Sequence, residues 1–159
     1  WYMKAAHKGQ VDAQYRVGQM YFHGTGVSKD KEKAFKWFTK AAHHGQTDAQ
    51  FMLGSMFLFG GGFVQDSAEA CKWFTKAAEE GDSGAQYFLG VLYADGEGVA
   101  KDSNKALKWF LEAARQKDSD AQVKLGSMYA DGDGVTKDCV EALKWYLLAK
   151  LNGYDDKDE

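Results

Sequence analysis

The residues able to do chemistry in this chain are few, and their spacing does not gather them. His43 and His44 are adjacent. Adjacent side chains on a helix point ~100° apart, so the two rings do not readily share a metal. No His/Cys set has the spacing of a zinc site, and no G-x-S-x-G elbow presents a nucleophilic serine. Gly24-Thr25-Gly26, with copies at Gly96-Glu97-Gly98 and Gly132-Asp133-Gly134, invites comparison with a phosphate cradle. The dinucleotide fingerprint needs a strand before the glycines and a third glycine opening a helix. Here the loop follows a helical pattern and leads to an aspartate, so it reads as a tight turn with glycine supplying positive φ. Asp95 and Asp131 occupy corresponding positions and form at most a small acidic patch. The sequence therefore predicts no catalytic residues, no metal ligands and no cofactor.

The elements that carry these residues repeat. Trp1, Trp37, Trp73, Trp109 and Trp145 are the only tryptophans, spaced 36 residues apart. Residues 82–117 and 118–153 share 20 identities in 36. A fixed period of this length is the signature of a repeat architecture. Each unit reads as two helices. Helix A spans about 12–23 in the first unit, where Ala13, Val17, Met20 and Tyr21 fall on one face. Helix B spans about 31–43, with Ala34, Phe38, Ala41 and Ala42 in the same periodicity. Thr47 with Gln50, Ser83 with Gln86 and Ser119 with Gln122 have capping-box spacing at the start of helix A. The column Asp30, Asp66, Asp102 and Asp138 sits where helix B needs an N-cap, and Asp66–Glu69 and Asp138–Glu141 have the spacing of full boxes. Gly45, Gly81 and Gly153 end their helices. Lys117 departs from that column, which predicts a less regular exit.

Glycine inside a helix costs ~1 kcal/mol relative to alanine. Gly18, Gly54, Gly90 and Gly126, all at one phase, therefore imply that a neighbouring helix comes close. The tryptophans are expected to cover the seams between units. Cys71 and Cys139 are nearly two units apart. With helices ~8–10 Å from one another, that exceeds the ~7 Å Cα limit of a disulfide, so two free thiols are expected. Unpaired thiols lean toward a reducing compartment.

Composition agrees with a packed protein: 45% of the 159 residues are hydrophobic and 14% aromatic, and proline is absent. A net charge of −3 argues against a general nucleic-acid binder. It is unevenly spread, +2 over residues 1–80 and −5 over 81–159. No apolar run approaches the ~20 residues of a membrane span, so no membrane insertion is expected. The chain begins within a repeat, and Leu147, Leu148 and Leu151 crowd the last helix. Because solenoids need polar caps, further repeats in a longer parent chain or end-to-end self-association are expected.

The columns A-Q-x-x-L-G-x-x-Y-x-x-G-x-G-V-x-x-D-x-x-x-A-x-x-W-F-x-x-A-A resemble the Sel-1-like repeat family, relatives of tetratricopeptide repeats. The third unit carries them as Ala85, Gln86, Leu89, Gly90, Tyr93, Gly96, Gly98, Val99, Asp102, Ala106, Trp109, Phe110, Ala113 and Ala114. The resemblance covers a half repeat at 1–9, full repeats at about 12–45, 48–81, 84–117 and 120–153, and leaves a short acidic tail at 154–159. It implies one all-α domain, an α/α superhelical solenoid of helix-turn-helix repeats with right-handed winding. It also implies an adaptor rather than an enzyme, in a bacterial cytoplasmic or exported setting. One cysteine-rich branch, with paired cysteines in each repeat, is linked to binding or hydrolysing β-lactams. This chain lacks those pairs, so that link does not carry over.

The family likeness makes the face of helix A opposite Ala13 and Val17 the concave one. In order, that face carries Tyr15, Gln19, Phe22 and His23, then Phe51, Ser55, Leu58 and Phe59, then Tyr87, Val91 and Asp95, and finally Asp131. Its early part is too apolar for a surface that touches nothing. A protein or peptide segment is expected there, with the acidic end favouring a basic residue. Tyr15, Phe51 and Tyr87 are equally able to pack on the adjacent repeat instead.

Overall fold

A computed structural model describes residues 1–154. Among the described residues nine helices follow one another: α1 (Tyr2–His7), α2 (Val11–His23), α3 (Lys31–His43), α4 (Thr47–Phe59), α5 (Ser67–Glu79), α6 (Ser83–Asp95), α7 (Ser103–Arg115), α8 (Ser119–Asp131) and α9 (Cys139–Leu151). Among the described residues there is no strand, only an isolated bridge between Gly61 and Phe63. Helix A of the four repeats is α2, α4, α6 and α8; helix B is α3, α5, α7 and α9, and α1 corresponds to the end of a helix B. The chain divides into two compact units, Trp1–Glu80 and Gly81–Glu159. In the first, α1 packs on α2, α2 on α3, α3 on α4 and α4 on α5. In the second, α6 packs on α7, α7 on α8 and α8 on α9. Asp155 to Glu159, most of the acidic tail, lie outside the described residues.

The helix ends show which side chains do the capping. Asp30, Asp66, Asp102 and Asp138 accept hydrogen bonds from the backbone N–H three residues on, at 2.9–3.0 Å, as their column predicts. The full boxes do not form. The Asp66 and Asp138 N–H groups donate to the carbonyls of Phe57 and Tyr129 instead. Glu69 and Glu141 are thereby left to pair with Lys72 and Lys144. Helix A is capped one residue earlier than its sequence suggests. Gln46, Asp82 and Asp118 accept from the N–H groups of Ala49, Ala85 and Ala121, so Thr47, Ser83 and Ser119 are the first helical residues.

The glutamines assigned to those boxes do other work. Gln14, Gln50 and Gln122 are buried. Their side-chain amides donate to the carbonyls of Ala6, Ala42 and Ala114 at 3.4, 3.3 and 3.1 Å, each tying helix A to the preceding helix B. In the second unit Gln116 and Asn152 donate to the carbonyl oxygens of Gln86 and Gln122 at 2.9 and 3.0 Å, extending the tie.

The mid-helix glycines admit an aromatic ring rather than a whole helix. A Cβ built on Gly18, Gly54, Gly90 or Gly126 would stand 2.6–2.7 Å from the ring of Phe38, Phe74, Phe110 or Tyr146 on helix B of the same repeat. Lys117 does not loosen its turn. It holds φ +67°, and its N–H still donates to Ala114, as Gly45 does to Ala42. The predicted irregular exit is therefore absent, and the left-handed strain is borne by a residue with a Cβ. Trp37 and Trp73 pack against the repeat before their own within the first unit, and Trp145 does the same within the second. Trp1 is fully exposed.

Candidate functional site

His43 and His44 are exposed, and the His43 ring lies edge-on to Trp73 at 5.3 Å. Cys71 is buried, Cys139 is exposed, and both are free thiols. Among the described residues no three His, Cys, Asp or Glu side chains stand where they could hold a metal ion. Among the described residues no helix is long and apolar enough to cross a membrane.

Among the described residues, large apolar side chains are exposed at Trp1, Tyr2, Phe59 and Val64 and along α9 from Val140 to Leu151, and Phe59 is the one that lies on a helix A. In the first unit the structure sorts the residues of the outward face of helix A into three kinds. Tyr15 and Phe51 are half-buried, with rings 5.7 and 5.8 Å from those of Phe38 and Phe74 on helix B of their own repeat. They form part of the packing beneath the face. Gln19 and His23 join Arg16 and Met20 around a cavity of about 320 Å³, and the Gln19 amide donates to the Tyr15 hydroxyl at 2.9 Å. Phe22, Ser55 and Phe59 line a smaller pocket of about 150 Å³ with Met52 and Met56. Phe59 is 60% exposed, while Leu58 beside it is half-buried. The pocket lies where the last turn of α2, the first residue of α3 and the C-terminal half of α4 meet.

In the second unit Tyr87 repeats the Tyr15 arrangement, 6.0 Å from Phe110, and Val91 packs on the cluster of Phe110, Ala121 and Leu125. Asp95 and Asp131 are exposed at the last turns of α6 and α8. Burial raises the Tyr87 hydroxyl pKa above its ordinary value, helped by Asp120, Asp118, Tyr154 and Asp95. Burial likewise raises the Asp118 carboxyl, with repulsion from Asp120 adding to it and the N–H of Ala121 opposing it.

Sequence reasoning missed Lys31, Met52 and Met56 as lining of the pocket. The signal was present in the column of Lys31, which holds Ser67, Ser103 and Cys139 elsewhere.

Paired helices on a 36-residue period, with capped ends and buried inter-helix ties, define a helical-hairpin repeat protein. The Sel1 repeat matches residues 11–46, 47–82, 83–118 and 119–154, and the chain belongs to the Sel1 repeat family. Its proteins are generally scaffolds for protein–protein interaction and typically non-catalytic. Among solved structures, a protective antigen of uropathogenic Escherichia coli displaying an SLR fold is 40% identical, with a TM-score of 0.92. The match covers 96% of this chain and 33% of that one. A Sel1 repeat protein from Oxalobacter formigenes is 44% identical, with a TM-score of 0.88, over 97% of this chain and 63% of that one. Cysteine rich protein B of Helicobacter pylori is 26% identical, with a TM-score of 0.60, over 76% of this chain and 91% of its own. The chain thus spans about a third of the first of these proteins and under two thirds of the second. No curated protein matches it.

Proposed function

We propose that the chain is a non-catalytic scaffold that holds a segment of another protein against the outward face of its A helices. The observation that carries this reading is Phe59, a large aromatic 60% exposed at the mouth of a pocket lined by Phe22, Met52 and Met56. A soluble surface that presents such a side chain beside a cavity has the character of a binding hot spot, where an aromatic anchor and its pocket carry most of the energy. Ser55 lines the same pocket, and Gln19 and His23 line the separate cavity of about 320 Å³. In the second unit Val91 and Tyr87 offer less apolar surface, and Asp95 and Asp131 favour a basic residue.

The test separates binding from folding. Phe59→Ala removes the anchor and little packing. Proteins captured by the wild-type chain should bind it at least ~10-fold more weakly, since ~1.4 kcal/mol is tenfold, with the melting temperature nearly unchanged. A sharp drop in melting temperature with capture intact would make Phe59 a packing residue and move the binding surface elsewhere.

A further inference from the structure

We infer that the pocket of the first unit reads a large apolar side chain next to an acidic residue, with Lys31 supplying the cation. This rests on the scaffold reading above and deepens it. At about 150 Å³ the pocket falls below the ~300 Å³ at which small-molecule sites begin. It suits one side chain of a protein segment. Its walls are Phe22, Met52, Met56 and Phe59, and Lys31 stands at its edge with Gly61.

Comparison between repeats shows what Lys31 lacks. In the second unit Ser103, the first residue of α7, donates its hydroxyl to the carboxylate of Asp133 in the turn of the following repeat, at 2.7 Å. The corresponding pair in the first unit is Lys31 and Gly61, so a cation stands where the serine was and no acid stands opposite. Lys31 lies along that glycine turn. A Cβ on Gly62 would be 3.7 Å from its Cδ, and one on Gly61 would be 3.9 Å from its Nζ. Among the described residues Lys31 forms no ion pair, while the neighbouring Asp30 is held by Lys33 at 3.0 Å. A partner bringing its own carboxylate completes locally what Asp133 completes for Ser103. The pair is exposed, so it adds selectivity rather than strength, about two- to fivefold in affinity.

The test pans a random dodecapeptide phage library on the wild-type chain, Lys31→Glu and Phe59→Ala. Lys31 is exposed on the first turn of α3, where glutamate is favoured by the helix dipole, so Lys31→Glu folds. The wild type should enrich peptides carrying Leu, Met or Phe within three residues of Asp or Glu. Lys31→Glu should keep the apolar residue and exchange the acid for Lys or Arg. Acidic enrichment that is absent on the wild type, or unchanged on Lys31→Glu, overturns this inference and leaves the scaffold reading standing. No enrichment on the wild type beyond that on Phe59→Ala overturns both.

Discussion

At the scale of single residues, the glycine column shows how two opposed effects are weighed. Gly54→Ala gains about 1 kcal/mol of helix propensity. It also drives a Cβ to 2.7 Å from Phe74, a ring with no exposed surface and nowhere to move. Overpacking of that kind costs about 1–3 kcal/mol, so thermal melts should show Gly54→Ala less stable than wild type. Gly126→Ala meets Tyr146, which is 39% exposed and free to swing outward, so the same substitution there should be neutral or stabilising. Equal losses at both sites would contradict the account. Asp118 offers a test in pH. Its raised carboxyl pKa, caused chiefly by burial, means that its ionised form is disfavoured in the folded state. Its contribution to stability is therefore fully present below the unfolded value and lost as pH rises through the folded one. Asn also caps helices, so Asp118→Asn should melt higher than wild type at pH 7. The difference should close as pH falls into the carboxylate range, and a gap that widens toward acid would reverse the sign of the argument.

At the scale of elements, Asp82→Ala should cost about 1 kcal/mol, because its carboxylate holds the Ala85 N–H. Ser83→Ala should stay within about 0.5 kcal/mol, since Ser83 is only the first helical residue. Chemical denaturation of the two variants decides between this cap and the Ser83–Gln86 box that the sequence suggests. Helix boundaries, the aspartate caps and the glycine exits were legible because each depends on residues within one turn. The glutamine column was misread for a physical reason: a capping box and a buried tie to the preceding helix can share the same spacing. Only the burial of Gln50 and its bond to Ala42 distinguish them. Lys117 was misjudged because its hydrogen bonds outweigh its backbone preference. Of the candidate face, Phe22, Ser55 and Phe59 were legible from the helical wheel. Met52 and Met56 were not, because which helix flank meets the next repeat is decided by packing between elements, and Lys31 was marked only by its departure from the column of Ser67, Ser103 and Cys139.

At the scale of the molecule, the repeat gives each unit the same internal construction and leaves its outer face to differ. The first unit carries +2 and the exposed Phe59, and the second carries most of the acidic residues. That division is what a scaffold requires: buried columns fix the fold, and substitutions on the face change what is held without disturbing it. The most direct measurement places a photo-reactive benzoylphenylalanine at Phe59 in one variant and at Lys36, exposed on α3, in another, and irradiates cells producing each. The account predicts discrete protein adducts from position 59 and none from position 36. Adducts from position 36 with none from position 59 would contradict it, and would put the binding surface on helix B.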